Sequence, residues 1–465
     1  MDLEWQQSEL GTDNWCRLRR FFMARLISNE VGEKLEALRS KESLLVESET
    51  ERHPRVLQIR KYKLLTPLFG GGVRANENDT TKLIRETSIR GQLRFWWRAM
   101  RGTGRIVEMK KREDEIFGSG GQKAVQSKIL ISVKVLSSGS QVSAFQNDQK
   151  TQSGPRRPKT ETAREVHEYA AFPLSPDKDE RNDPNWKSAL VSTDVEFHLK
   201  ICYPKELEAE IQAALWAWET FGGVGARTRR GFGAIALTQI DGKPINAPKF
   251  AEIEQYIRQK LSEYLLCDKQ VDSNLPHLNA EIDFRIKKFK DPKDAWKSSI
   301  DKLRQFRQVR REGRDRNRPL KKGRSFWPEP DEIRRLTGKN AEGRHRPLSS
   351  VGKFPRADFG LPIIFHFIDQ EEPGDCTLKP AKYSRLASPL ILRPIECADG
   401  AAALALLLVA PRASELDLEL SHSNGNAKVV AKLTVEEAKL LTAAGLGPLG
   451  NQTDVLKAFL DYFAN

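Results

Sequence analysis

Glycine and arginine are concentrated in one short segment of this chain, and together they suit the binding of anions. The segment FGGVGARTRRGFG, Phe221–Gly233, holds five glycines and three arginines. Glycine permits positive φ angles and exposes backbone N–H groups, while guanidinium groups grip phosphates through paired donors. We therefore expect this segment to lie along a sugar–phosphate backbone. The expected contacts are Gly222, Gly223, Gly225, Arg227, Arg229 and Arg230.

Two other phosphate motifs do not fit the same segment. It contains no GxxxxGK[ST] phosphate loop. It also runs from a predicted helix into a predicted strand, whereas a dinucleotide fingerprint runs from a strand into a helix. The remaining alternative is a loop that only connects two elements, with its arginines in water.

A predicted helix, Ser88–Arg101, supplies a second set of residues that can bind phosphate. Its sequence, SIRGQLRFWWRAMR, forms two neighbouring stripes at helical spacing. The apolar stripe, predicted to face the core, is Ile89, Leu93, Trp96 and Met100. The second stripe, which we call the arginine stripe, is Arg90, Arg94, Arg98 and Arg101. Because this segment has no Asp or Glu, we expect the arginine stripe to face a ligand, with a solvated face as the alternative.

Other residues of this helix are expected to stack on a base, to leave space for an anion or to cap the helix. Trp97 lies between the two stripes and is expected to offer its ring to a base, which is worth about 1–3 kcal/mol. Gly91 is expected in the first turn, where a missing side chain opens the helix N-terminus to an anion. Thr87 or Ser88 is predicted to cap the helix.

The stretch Leu303–Arg324 is another centre of positive charge. It holds ten Arg and Lys residues against one Glu and one Asp. A solvated loop is one interpretation, and contact with an RNA backbone is the other. In the second interpretation the contacts are Arg310, Arg311 and Arg314.

The composition of the whole chain favours a polyanionic partner. Its 465 residues include 77 Lys and Arg against 63 Asp and Glu, a formal net charge of +14. No apolar run approaches the roughly 20 residues of a membrane span, and no secretory signal is recognised. The five cysteines are far apart and form no CxxC. These features predict a cytoplasmic, reduced protein without a membrane partner, a structural zinc site or a cofactor.

The sequence contains no recognisable catalytic set. There is no HExxH motif and no acidic cluster spaced for two metal ions. The histidines show no pairing along the chain, and they are His53, His167, His198, His277, His345, His366 and His422. Asp79 and Asp114 lie in predicted loops, and neither forms a catalytic set with another residue. We therefore predict no catalytic residue and no metal ligand.

The elements that position these residues alternate between strands and helices. The first half is predicted to follow the order β-α-β-β-α-β, which is the ferredoxin-like order. Its elements are Val56–Leu65, Ser88–Arg101, Lys128–Leu136, Asp194–Cys202, Lys205–Phe221 and Phe232–Thr238. The apolar face of the second helix is Leu207, Ile211, Leu215 and Trp218. A polar insertion at 138–188 separates the two middle strands.

The second half fits a ferredoxin-like unit more loosely, and its four strands cannot all be assigned. The predicted fold class is therefore α+β, with two ferredoxin-like domains and a helical N-terminal extension. The predicted boundaries are 1–53 for the extension, 54–245 for the first domain and 246–465 for the second, with a basic insertion at about 303–350.

Several motifs together resemble one protein family. FGGVGARTRRGFG is similar to the glycine-rich loop of the RAMP superfamily of type III CRISPR proteins. TPLFGGG followed by IRETSIRGQLRFWWRAMRG resembles the branch that supplies the first RAMP subunit of the type III-B Cmr effector complex. Three segments of the second half resemble the same branch, namely GRSFWPEPDEIRRLTG, FPRADFGLPIIFHF and RLASPLILRPI. The resemblance covers roughly residues 55–400.

This resemblance implies a non-catalytic subunit that binds RNA for antiviral defence. Its partners would be the guide crRNA near its 3′ part, the target RNA and other RAMP subunits. The family's RNA-facing loop carries over to the loop residues named above, and its helix signature to Arg90, Gly91, Arg94, Trp97 and Arg98. Two alternatives remain open, a RAMP endoribonuclease that processes guide RNA and a general basic RNA-binding protein.

Overall fold

A computed structural model of the chain describes residues 54–70, 79, 82–145, 166–174, 189–266, 274–311, 323–339, 347, 349–367 and 371–465. The described parts of Leu57–Cys202 and Leu207–Asn465 form one compact unit, while Pro54–Val56 and Tyr203–Glu206 are assigned to another. The predicted extension at 1–53 and Arg314 lie outside the described residues. None of the described helices is long and apolar enough to cross a membrane.

The first half contains a five-stranded sheet with helices between its strands. Its strands are β1 (Arg55–Leu64), β2 (Leu130–Ser137), β5 (Glu196–Pro204), β6 (Ile235–Ile240) and β7 (Lys243–Pro244). Their spatial order is β2-β5-β1-β6-β7. The helices are α1 (Glu86–Arg101), α2 (Ile106–Phe117), the single turn α3 (Glu168–Ala171) and α4 (Glu208–Phe221). A separate hairpin pairs β3 (Ser140–Ser143) with β4 (Leu190–Thr193).

Helices α1 and α4 bury the apolar stripes that their sequences predict. Every residue of the two predicted stripes is at most 2% exposed. Burying these side chains drives the helices onto the sheet, since removing apolar area from water contributes about 25 cal/mol per Å². Tyr62 of β1 lies under α4, with its ring 5.4 Å from that of Trp218. The two helices also meet each other, through Trp96 and Phe221, whose ring centres are 5.9 Å apart.

The second half contains two antiparallel sheets. The first has the order β11-β12-β8, formed by β8 (Phe284–Phe289), β11 (Leu390–Cys397) and β12 (Gly400–Leu407). The second has the order β14-β13-β10-β9, formed by β9 (Ile363–Phe365), β10 (Cys376–Pro380), β13 (Leu418–His422) and β14 (Gly425–Val429). The helices are α5 (Ile253–Tyr264), α6 (Pro292–Arg307), α7 (Glu329–Thr337), α8 (Val435–Ala443) and α9 (Val455–Ala464).

The fold is thus a mixture of helices and antiparallel sheets. The sequence did not predict helices α2 and α7 or strands β3, β4, β7, β10, β13 and β14. The missed helices are short and highly charged, so their apolar periodicity is weak. Helix α6 packs on β11 and β12, and its residues Trp296, Ile300 and Leu303 are fully buried in a large core cluster.

Candidate functional site

The glycine–arginine loop after α4 is held in one conformation by backbone hydrogen bonds. The N–H of Val224 donates to the carbonyl of Gly233 at 2.9 Å, which closes the loop on itself. The N–H of Ala226 donates to the carbonyl of Phe69 at 2.7 Å, which ties the loop to the segment after β1. The loop is therefore a fixed part of the fold.

The glycines of this loop are required mainly by packing. A Cβ on Gly222 would lie 2.5 Å from Nε1 of Trp96, and one on Gly223 would lie 2.5 Å from the carbonyl oxygen of Gly233. Of the three glycines expected to contact RNA, only Gly225 has a positive φ, +79°. Positive φ angles are therefore not the general reason for these glycines.

The loop and the start of α1 form the walls of one open cavity. Its volume is about 380 Å³. We call it the glycine groove, and its lining residues are Gly70, Leu83, Ile84, Arg85, Ser88, Ile89, Gly91, Gln92, Val224, Gly225 and Ala226. The two sequence segments that were expected to contact RNA therefore meet at one concave surface. The N–H of Gly225 has no hydrogen-bond partner among the described residues.

Gly91 is the one glycine of the groove whose missing side chain nothing in the fold requires. It lies inside α1, and a Cβ built on it would meet no described atom within 4 Å. Glycine inside a helix costs roughly 0.5–1 kcal/mol relative to alanine. The space beside Gly91 therefore remains open at a cost in stability, as expected where a ligand approaches the helix.

The expected position and cap of this glycine need correction. Helix α1 begins at Glu86, so Gly91 lies in the second turn and not the first. The N-cap is Arg85, with no side-chain cap, so neither Thr87 nor Ser88 caps the helix. The Arg85 side chain instead forms an ion pair with Asp79.

The expectation that the arginine stripe lacks partners is wrong. The partners come from α2, the helix that the sequence did not reveal. Glu113 is 2% exposed, and its carboxylate lies 2.6 Å from Nη1 of Arg98 and 3.3 Å from Nε of Arg94. Arg94 also reaches Asp114 at 3.3 Å. These two arginines are half-buried and neutralise a buried carboxylate.

The remaining residues of this helix also have partners within the fold. Arg90 donates to the Ser127 hydroxyl, and burial together with repulsion from Arg94 lowers its pKa. Arg101 donates to the carbonyl of Tyr264 at 3.0 Å. Trp97 is 2% exposed. The expected stacking of its ring on a base is therefore corrected, because the ring lies inside the core.

Arg98→Ala is expected to lower the free energy of unfolding by about 1–3 kcal/mol, since a buried carboxylate loses its closest partner. Adding Glu113→Gln should restore part of that loss, because the uncompensated charge is then removed. Urea unfolding of the single and double variants measures both effects. Arg105→Ala is the control, since it breaks a pair with Glu108 that is largely in water. If Arg98→Ala left stability unchanged but weakened RNA binding, Arg98 would contact RNA and would not stabilise the fold.

The three loop arginines have different environments. Arg229 donates to the Ser388 carbonyl and stacks over the ring of Phe95 at 5.6 Å. Arg230 donates to the Leu390 carbonyl at 3.0 Å, and its own carbonyl accepts from Trp296. Burial, with repulsion from Arg307 as a smaller cause, lowers the pKa of Arg230 to about 9.

Arg227 differs from both neighbours. It adopts a left-handed conformation, with φ +61°, and no described residue forms a hydrogen bond or ion pair with its side chain. Of the three loop arginines, Arg227 is therefore the one whose guanidinium is available to a ligand.

The described residues of the basic stretch in the second half do not line the glycine groove. Arg310 and Arg311 lie just after α6. The N–H of Arg311 donates to the carbonyl of Arg324 at 2.8 Å. Arg310 lines a second cavity together with Arg324. The structure thus divides the expected contacts between two places.

Arg393 on β11 is a residue of this region that the sequence analysis missed. It is 1% exposed, and burial lowers the pKa of its guanidinium to about 9. It donates to the carbonyls of Gly222 at 2.7 Å, Ile235 at 2.8 Å and Pro394 at 3.1 Å. One side chain thus joins both ends of the glycine–arginine loop to β11. The available signal was a single charge inside the apolar run PLILRPI.

Two histidines have acidic neighbours that the sequence did not indicate. Nδ1 of His366 lies 2.8 Å from an oxygen of Asp375, and both side chains are exposed. Nε2 of His167 lies 3.2 Å from Asp301, and burial lowers the pKa of His167. Neither histidine lines the glycine groove. Among the described residues, no three His, Cys, Asp or Glu side chains are grouped so as to hold a metal ion.

One family model matches part of the chain. The family model of the RAMP superfamily matches residues 61–236. No curated protein sequence matches significantly. The solved structures that resemble the chain include Cmr1 from Pyrococcus furiosus in the apo form, at 14% identity and a TM-score of 0.44, with 76% of this chain and 88% of that chain covered.

Two other solved structures come from one kind of complex. A chain of the Type III-B Cmr-beta complex bound to cognate target RNA has 14% identity and a TM-score of 0.44, with 87% of this chain and 99% of that chain covered. A chain of the same complex with target RNA and AMPPnP, in the presence of ssDNA, has 15% identity and a TM-score of 0.41, with 84% and 99% covered.

Proposed function

Because residues 61–236, called the RAMP segment below, match the family model of the RAMP superfamily, we propose that this chain is a non-catalytic RNA-binding subunit of a type III-B CRISPR effector complex. Its partners would be the guide crRNA near the 3′ part, the target RNA and neighbouring RAMP subunits in the cytoplasm. The sequence motifs of both halves support the proposal that the chain works within a type III-B complex.

The observation that carries the RNA-binding proposal is the glycine groove. Every residue that lines it falls inside the RAMP segment. Its walls combine a helix N-terminus, the unpartnered N–H of Gly225 and the open space beside Gly91, a combination that suits a phosphate backbone. Arg227 would supply charge from the same loop. The paired arginines Arg94 and Arg98 would act by holding α1 on α2 and by raising the local positive potential.

The fold class proposed with this function is two ferredoxin-like domains. In the first half, the strand order β2-β5-β1-β6 with helices after β1 and β5 supports this proposal. The second half would be built on β8, α6, β11 and β12 as a reduced version of the same unit. The proposed boundaries remain 54–245 and 246–465, preceded by the extension at 1–53.

Binding of labelled single-stranded RNA to the full chain tests the proposal. We expect the logarithm of the binding constant to fall linearly with the logarithm of salt concentration, with about 0.7 of slope for each phosphate contacted. Fluorescence anisotropy at several salt concentrations measures this slope. An affinity that does not respond to salt would contradict a phosphate-lined site.

The same RNA, analysed on a gel after incubation, tests the endoribonuclease alternative. We expect it to remain intact. Cleavage that follows the purified protein and disappears in a His366→Ala variant would favour the endoribonuclease, because His366 has an aspartate partner in place. Binding without a preference for assembled RAMP partners would favour the general RNA-binding protein.

A further inference from the structure

A second cavity lies in the second half of the chain, between the end of α6, the start of α7 and strand β9. Its volume is about 430 Å³, within the roughly 300–1,000 Å³ of sites for small molecules. None of its lining residues belongs to the glycine groove or to the RAMP segment except Tyr169. It is therefore a separate place for a ligand.

The lining of this cavity is rich in guanidinium groups. Five arginines line it, against two carboxylates, Asp331 and Glu372. The arginines are Arg307, Arg310, Arg324, Arg334 and Arg356. This imbalance creates a positive potential, which is strengthened because the surrounding protein is less polarisable than water.

Two of these arginines are available to an incoming anion. Among the described residues, no carboxylate lies within ion-pair distance of Arg307 or Arg310. Arg307 donates to the Tyr169 hydroxyl at 2.9 Å, but its buried Nε has no hydrogen-bond partner in the described structure. Partial burial and repulsion from Arg356 lower the pKa of Arg310. Arg307 therefore keeps a buried donor without a partner, and Arg310 is exposed with no paired carboxylate among the described residues.

The other arginines are fixed in place, which keeps the cavity open. Arg334 pairs with Asp331 at 3.1 Å and with Glu372 at 2.7 Å. Arg356 lies 3.1 Å from the buried Glu329, and its guanidinium stacks over the ring of Trp327. A wall preorganised in this way spends little conformational entropy when it binds a ligand.

The apolar part of the cavity lining lies against the cationic part, since Arg334 stacks over the ring of Phe367 and Arg356 over that of Phe365. The apolar part is formed by Ile363, Ile364 and Phe365 of β9 and by Phe367, and the side chain of Ile364 is 54% exposed. Apolar side chains next to guanidinium groups match a molecule with one flat apolar end and one anionic end. Among the components of RNA, a nucleotide has this character.

We propose that this cavity binds a single nucleotide unit, with its phosphate at Arg307 and Arg310 and its base against Ile364 and Phe367. The proposal rests on the proposed function, since the bound RNA is the expected source of the nucleotide. Guanidinium groups favour phosphate through paired donors. The volume accommodates one such unit rather than a length of chain. Arg310 would therefore act in a nucleotide pocket, not along an RNA backbone.

Calorimetric titration of the full chain with AMP, inorganic phosphate and adenosine tests the pocket. We expect AMP to bind more tightly than phosphate, and adenosine to bind at least about tenfold more weakly than AMP. Arg310→Gln should weaken AMP binding about tenfold or more. Arg304→Gln is the matched control, because Arg304 lies in the last turn of α6, pairs with Asp301 and does not line the cavity.

Several outcomes would overturn the proposal. If AMP did not bind, or if Arg310→Gln left AMP binding unchanged, the cavity would not be a nucleotide site. Binding of a poly-glutamate peptide in the absence of AMP binding would assign the cavity to an acidic protein partner. An Arg310-dependent AMP site in a chain that fails to bind RNA would support the pocket while rejecting the proposed function.

The source of the nucleotide is decided by competition. Displacement of AMP by single-stranded RNA in the folded Gly91→Gln variant, whose groove is blocked, would support the pocket with RNA as its source. Arg310-dependent AMP binding that RNA does not displace would support it with free nucleotides as the source.

Discussion

Replacing Gly91 with glutamine is expected to weaken the binding of single-stranded RNA about tenfold or more while making the fold slightly more stable. The new side chain starts in the open space beside the glycine groove, where its Cβ would meet no described atom within 4 Å. A tenfold loss corresponds to about 1.4 kcal/mol of binding free energy. The stability rises because glycine is a poor helix former and glutamine a good one. Damage to the fold would lower both quantities, so opposite changes identify a blocked ligand site.

RNA anisotropy and urea unfolding of the same preparations measure the two changes. Thr87→Gln is the matched control, since Thr87 is also exposed on α1 but does not line the groove. We expect it to leave RNA affinity within about twofold of the original chain, because a surface substitution away from the site changes free energies by about 0.5 kcal/mol or less. Unchanged RNA affinity in a stable Gly91→Gln variant would place the RNA elsewhere on the molecule.

Gly225, which lines the same groove, is a less informative position for such an experiment. A Cβ there would lie 2.5 Å from the Phe69 carbonyl oxygen, at a φ that side chains disfavour. A substitution would therefore disturb the loop itself. Lost binding in that variant would not distinguish a missing contact from a displaced backbone.

The sequence was sufficient to predict which faces of α1 and α4 are buried. Apolar residues at helical spacing must lie on one side of a helix, and the cost of exposing them to water selects that side. Residues such as Leu93 and Ile211 are therefore buried, as expected.

The partners of the arginine stripe could not be predicted in the same way. The absence of acids within Ser88–Arg101 says nothing about acids on another element. Helix α2, IVEMKKREDEIF, buries Glu113 among few apolar residues, so its own pattern is too weak to reveal a packed helix. An ion pair between two helices depends on their packing, which local spacing does not determine.

The role of Arg393 depends on still longer connections. Its three acceptors are the carbonyls of Gly222, Ile235 and Pro394, and two of them lie more than 150 positions earlier in the chain. A lone arginine in an apolar strand indicates burial only after the elements that cover the strand are known. The structure supplies that placement, with β11 paired to β12 and packed under α6.

Arg393→Met is expected to lower the free energy of unfolding by about 2–4 kcal/mol and to loosen the glycine–arginine loop. Methionine fills similar space but leaves the carbonyls of Gly222 and Ile235 buried without their donor, and each such group costs about 1–3 kcal/mol. Relief from burying a charge offsets part of this cost. Arg393→Lys should also destabilise, because one ammonium group cannot reproduce the planar fork that reaches three carbonyls.

Urea unfolding measures the loss, and amide hydrogen exchange at Val224 and Ala226 reports on the loop. Arg285→Met is the control, since it removes an exposed arginine that pairs with Asp461 at 2.9 Å, and a change of about 1 kcal/mol or less is expected. Because Arg393 holds both ends of the loop but does not line the groove, RNA affinity should fall with faster exchange of the loop amides. Full stability in Arg393→Met would contradict the prediction. It would show that the three hydrogen bonds stabilise the fold by no more than the cost of burying the guanidinium charge. If the variant were less stable but its loop amides still exchanged slowly, Arg393 would stabilise the fold around β11 without ordering the loop.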